Sequence, residues 1–162
     1  EKIGFQHVNV GELIKQHKCY EGERDEELDT NVLDEDKLLD VMEVIIDKAA
    51  EDEDDCPTGI VADYHMCEIF PERWFDLVLV LRASTETLFD RLTQRGYNEK
   101  KRSQNMEAEI MQVVLEEAKE AYAHEIVHEV PSNTIEDMDN NVNRVAQWIE
   151  QWEKDRHRQE QE

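Results

Sequence analysis

Apolar and polar positions alternate from Phe5 to Val10 (Phe-Gln-His-Val-Asn-Val), a period of two that predicts a short β-strand. Asn9-Val-Gly-Glu12-Leu-Ile14 then opens a brief helix that ends before Cys19. From Cys19 to Thr30 the chain is acidic and has no period, which reads as a loop or mobile flap. Leu33-Asp-Glu-Asp36 starts a longer helix, because acids in a first turn suit the positive end of the helix dipole. Leu38, Met42, Ile45, Ile46 and Ala49 trace one apolar face along it. A charge block, Glu51 to Asp55, reads as a loop closed by Pro57-Thr-Gly59.

Two apolar runs follow. Gly59-Ile-Val-Ala-Asp63 ends in an acid, and Leu77-Val-Leu-Val-Leu81 is unbroken by polar residues, the pattern of a strand covered on both faces. Ser84 or Thr85 caps a helix with Leu88, Phe89 and Leu92 on its apolar side. Gly96 to Arg102 reads as a short basic loop, and Ser103 as the cap of one long helix running past Tyr122. Glu125-Ile-Val-His-Glu-Val130 is a last strand, and a final helix runs from about Glu136 into the polar tail with Met138, Val142, Val145, Ala146, Ile149 and Trp152 inward. Strands alternating with helices predict an α/β fold with a parallel sheet and helices on both faces.

The 162 residues fit a single domain, and no apolar run approaches the roughly 18 residues of a membrane span. Net charge is −23, and Glu21 to Asp55 alone holds seventeen acids against three bases. Phosphate repels such a chain, so direct nucleic-acid binding is not expected. The acidic stretch is either a solvated surface or a docking face for a basic partner. Cys19, Cys56 and Cys67 form no CxxC pair, which favours reduced thiols. His65 and Cys67 are too few ligands for zinc.

The chemistry gathers at strand ends. Open α/β sheets bind ligands at the carboxyl ends of their strands, which places Asp63 and His65 at a crevice. A carboxylate there is how phosphate-loop hydrolases hold magnesium and its waters, though a strand-end acid can equally cap a turn. His65 can orient a water or take its proton near neutral pH, or serve as a hydrogen-bonded structural residue. Arg91 and Arg95 share a helix face and lead into Lys100, Lys101 and Arg102. Guanidinium groups bind phosphate bidentately; the plainer reading is an exposed patch pairing with the many acids.

Asn9-Val-Gly-Glu-Leu13, Leu33-Asp-Glu-Asp36, Ala62-Asp-Tyr-His65, Phe70-Pro-Glu-Arg-Trp-Phe75, Arg95-Gly-Tyr-Asn-Glu-Lys-Lys101, Glu125-Ile-Val-His128, Pro131-Ser-Asn133 and Trp148-Ile-Glu-Gln-Trp152 occur in one order. Together they resemble the adenylate kinase isoenzyme 6 family, also called coilin-interacting nuclear ATPases. The resemblance implies a phosphate-loop nucleoside monophosphate kinase fold. It further implies adenylate kinase activity on ATP and AMP, ATP hydrolysis with Mg2+, and a role in small-ribosomal-subunit maturation. Partners would be a basic small-subunit ribosomal protein and coilin, with a nuclear and cytoplasmic location. By the same match Asp63 is the acid that places magnesium, through water, and His65 the catalytic histidine. Arg91 and Arg95 bind ATP phosphates, residues 94–104 form a short lid, and residues 9–32, with Asn9, Gly11 and Lys15, form the monophosphate-binding flap. Pro131, Ser132 and Asn133 lie by the adenine ring.

Three departures accompany the resemblance. No G-x-x-x-x-G-K-S/T phosphate loop is present, nor any Gly-Lys pair. Lys15 stands where an arginine is expected, and the acidic loop at 50–57 is long. Because the chain starts at Glu1 already close to a strand, it reads as one lacking a first strand, phosphate loop and first helix, and so inactive. The other reading is a non-catalytic acidic adaptor for a basic ribosomal protein.

Overall fold

In the computed structural model, residues 4–25, 30–51 and 59–159 are described. They form two compact units, residues 1–76 with 117–123, and residues 77–116 with 124–162. Each is taken by itself.

In the first unit, β1 (Gln6–Asn9) runs parallel to β4 (Ile60–Asp63), with Val8 opposite Ala62 and Asn9 opposite Asp63. Asn9 ends the strand and starts α1 (Val10–His17), its side-chain oxygen accepting from the Glu12 N–H at 3.0 Å. Lys18, in the left-handed region at φ 52, returns its N–H to the Ile14 carbonyl and stops the helix. A Cβ at Gly59, where the chain enters β4, would lie 2.8 Å from the Phe5 ring, which would have to shift to admit it. The acidic stretch expected as a loop is instead an antiparallel hairpin, β2 (Tyr20–Asp25) with β3 (Thr30–Leu33). Its backbone pairs without an apolar alternation, so the hydrophobic pattern carried no signal there. Helix α2 (Glu35–Glu51) follows. Leu38 and Met42 on its apolar face pack with Val8, Val10, Ile14, Cys19 and Phe70 as the core. Of the acidic loop expected at 50–57, Ala50 and Glu51 are instead the end of α2, and residues 52–57 lie outside the described residues.

In the second unit, β5 (Val78–Arg82) pairs in parallel with β6 (Val127–Pro131), Val78 opposite Val127. The unbroken apolar run predicted two covered faces. Val80 is buried, but Leu79 and Leu81 on the opposite face stand 37% and 59% exposed. Ser84 caps α3 (Thr85–Gln94), accepting from the Thr87 N–H at 3.2 Å. The expected basic loop is helical from Glu99, because Asn98 rather than Ser103 supplies the cap to α4 (Glu99–Ile110). The single long helix beyond it is two, α4 and α5 (Val113–Ala121), broken where Gln112 turns left-handed at φ 58. Helix α6 (Ile135–Gln159) closes the unit. Ile149 is buried on it, whereas Met138 and Val142, expected inward, are exposed.

Candidate functional site

Period-two geometry sorts β1 and β4 into two faces. Val8, Ile60 and Ala62 turn to the core, which leaves His7, Asn9 and Asp63 together on the other face. The Asp63 carboxylate is 62% exposed and its Oδ2 lies 3.6 Å from His7 Nε2. His7 was not singled out by the sequence; its only signal was its place in strand register beside the acid. His65, two residues past β4, is exposed, with its ring centroid 4.4 Å from that of Tyr64. Asn9 brings α1 to the same strand end. Lys15 points its ammonium to Glu12 at 2.7 Å on the exposed side of α1, and that bond raises its pKa. Gly11 sits in the first turn, where a Cβ would meet Asn9 Oδ1 at 3.4 Å.

Magnesium is a hard cation that takes oxygen ligands, typically one or two carboxylates completed by water and phosphate. Asp63 fits as one such ligand, because its exposed carboxylate at a strand end is open to water. Among the described residues no cluster of three or more His, Cys, Asp and Glu side chains could hold a metal by itself.

The second unit presents a loop between β6 and α6. Arg91, the expected phosphate binder, donates to the Ser132 and Asn133 carbonyls at 2.6 and 3.1 Å. The Ser84 N–H donates to Asn133 Oδ1 at 2.6 Å, and the Ser132 N–H to the Arg82 carbonyl at 2.8 Å. Asn141 Nδ2 donates to the Pro131 carbonyl at 2.7 Å. Asp137 Oδ2 accepts from the N–H groups of Asn133 and Thr134 at 2.9 and 3.0 Å, which holds its carboxyl below its usual range. The structure thus brings Arg91 together with Ser132 and Asn133, in a loop whose conformation is fixed from four directions. Sequence reasoning missed Ser84, Asp137 and Asn141 as its supports. Thr134-x-x-Asp137 was the available signal, since that spacing suits a reciprocal helix cap. Arg95 closes α3 and is exposed. In the expected lid, Lys101 lies 4.5 Å over the Tyr97 ring and Arg102 4.8 Å over Phe89, so two of its cations rest on aromatic faces.

A family model described as AAA domain matches residues 1–112. A Caenorhabditis elegans protein named adenylate kinase isoenzyme 6 homolog is 48% identical over 147 residues, 91% of this chain and 76% of its own length. The chain belongs to the adenylate kinase isoenzyme 6 family. The Dictyostelium discoideum homolog is 44% identical over 90% of this chain and 78% of its own length. The Candida albicans adenylate kinase isoenzyme 6 homolog HBR1 is 47% identical over 91% of this chain, which spans 56% of that protein's length. Membership in the isoenzyme 6 family agrees with the α/β architecture and with parallel strand pairs ending at the candidate residues.

Proposed function

We propose that this chain carries the acid–histidine half of an ATP-hydrolysing adenylate kinase site. The observation that carries the reading is Asp63 at the carboxyl end of the parallel β1–β4 pair, exposed beside His7, with His65 exposed two residues on. Asp63 is positioned to hold water on Mg2+, which when bound with ATP neutralises charge developing on the transferred phosphoryl group. His65 is the general base that takes a proton from the attacking water. Asn9, Gly11 and Lys15 face the monophosphate, AMP, while Arg95 serves the ATP phosphates. The sequence match supports ATP and AMP as the nucleotides. Arg91 is a phosphate binder in the same reading, and within the second unit it also holds the loop of Pro131, Ser132 and Asn133, the residues assigned to the adenine.

The chain contains no Gly-Lys pair to cradle the β- and γ-phosphates. The 162 residues alone are therefore expected to hydrolyse ATP negligibly, and robust phosphate release in a coupled assay would overturn that. Fused behind a phosphate loop that restores turnover, Asp63→Asn or His65→Gly is expected to lower kcat by about 10²-fold or more. Unchanged kcat in both would remove them from the chemistry.

A role in small-subunit maturation, in nucleus and cytoplasm, extends the same reading. Its support is the acidic segment Glu21 to Asp55, which suits a basic ribosomal protein and, for coilin, any basic stretch it offers. That segment also sustains the second reading, an acidic adaptor that binds without turnover. Capture of a basic ribosomal protein should fall steeply between about 50 and 200 mM salt, where screening shortens. Capture indifferent to salt would sink the electrostatic docking.

A further inference from the structure

Between the end of β4 and the 3-10 turn at Glu72–Trp74, the chain carries His65. Its backbone closes on itself through the Phe70 N–H and the Cys67 carbonyl at 3.3 Å. A second support comes from far along the sequence. Tyr122, 4% exposed, donates its hydroxyl to the Cys67 carbonyl, and its oxygen also lies 3.5 Å from the Phe70 carbonyl. The next residue, Ala123, donates its N–H to Glu72 at 2.9 Å, which pins the same segment to the 3-10 turn.

Packing reinforces this bonding along an unbroken line of rings. His65 meets Tyr64 at 4.4 Å, Tyr64 meets Phe70 at 6.1 Å, Phe70 meets Phe75 at 5.9 Å, and Phe75 meets Tyr122 at 5.9 Å. All four contacts are edge-to-face, the arrangement in which each ring restricts the tilt of the next. The His65 ring is exposed, so enclosure does not set its orientation, and the turn and the Tyr64 ring support it from beneath.

We propose that Tyr122 is a positioning residue for His65, acting through its hydroxyl on the Cys67 and Phe70 carbonyls and through the aromatic line. The proposal rests on the reading of His65 as the base. It adds the residue that keeps that base on a single bearing relative to Asp63, two residues away on the same strand end. A base must lie within hydrogen-bond reach of the proton it takes, so a turn free to tilt loses rate rather than affinity.

Tyr122→Phe removes only the hydroxyl and keeps the ring against Phe75. In the isotope-labelled 162-residue chain at fixed pH, the His65 ring Cε1–Hε1 resonance should shift or broaden. Amide exchange at Cys67 to Phe70 should rise about tenfold, with exchange in α2 unchanged. A role confined to packing would lower the melting temperature and leave the His65 resonance where it was, and that result would overturn the proposal. Phe75→Leu, which interrupts the rings and keeps the hydroxyl bond, should move the His65 resonance less than Tyr122→Phe does; the reverse ranking would defeat the assignment to the hydroxyl. In the fusion that restores turnover, Tyr122→Phe should lower kcat severalfold at unchanged KM for ATP. A shifted His65 resonance with a harmless His65→Gly would sink the catalytic reading alone. A crippling His65→Gly with an undisturbed resonance in Tyr122→Phe would sink the positioning role alone.

Discussion

One oxygen of Asp137 takes two backbone N–H groups, from Asn133 and Thr134, while its own N–H returns to Thr134 Oγ1 at 3.0 Å. Those bonds favour the charged carboxylate and lower its pKa from the usual 3.8. A depressed folded-state pKa means the unfolded chain takes up the proton first as acid is added. The contribution is therefore whole above the ordinary carboxylate range and is lost as pH falls through the depressed value. The gap in urea midpoint between the parent and Asp137→Asn should hold steady from about pH 7 to 5, then close below about pH 4. A gap that widens in acid would contradict the assignment. At this scale the sequence was readable where chemistry and position coincide. The place of Asp63 at a strand end was legible because a hydrophobic run stops at it. The bonds Arg91 makes to the Ser132 and Asn133 carbonyls were not legible, since nothing in a string of letters says which loop a guanidinium will meet.

Helix ends show where periodic reading fails. Lys100, Lys101 and Arg102 follow a glycine and are all charged, so they read as loop, yet Asn98 accepts from the Lys101 N–H at 2.8 Å and makes them helical. Capping by one side chain outweighs a weak local pattern. The break at Gln112 is equally invisible, because no glycine or proline marks it. Gln112 holds φ 58 while its carbonyl accepts from the Glu116 N–H at 3.0 Å, so the break starts α5 as it ends α4. An ordinary side chain there costs about 1 kcal/mol relative to glycine, which is offset in part by glycine's freer unfolded chain. Gln112→Gly should raise the unfolding free energy by a few tenths to about 1 kcal/mol in urea titration. Destabilisation would mean the glutamine side chain holds the junction. The strands were legible for the opposite reason: β4 and β5 lie in the apolar runs Ile60-Val-Ala62 and Leu77-Val-Leu-Val-Leu81 and valines mark β1 and β6, whereas the hairpin β2–β3 brings only Tyr20 and Leu33 of one cross-strand pair to the core.

At the scale of the whole chain, the α/β class followed from alternation, and the parallel pairs β1–β4 and β5–β6 bear it out. Burial was harder to foresee. A run such as Leu77 to Leu81 records that a strand is apolar, not what lies against each face. Net charge was legible at once, but it bears on encounter rather than on fold.

The core of the first unit also sets a chemical clock. Cys19 is completely buried at the junction of α1 and β2, and burial pushes its thiol pKa up. A thiol must be reached and ionised to be alkylated, and here both conditions await the parting of Val10, Ile14, Leu38 and Met42. Iodoacetamide should modify Cys19 at least about a hundredfold more slowly than it does in the urea-unfolded chain, followed as a single peptide by mass spectrometry. Comparable rates would mean that the core parts freely. With the expected protection, the time taken for one sulfur to acquire a label measures how often this half of the molecule opens, in any buffer and without a fluorophore.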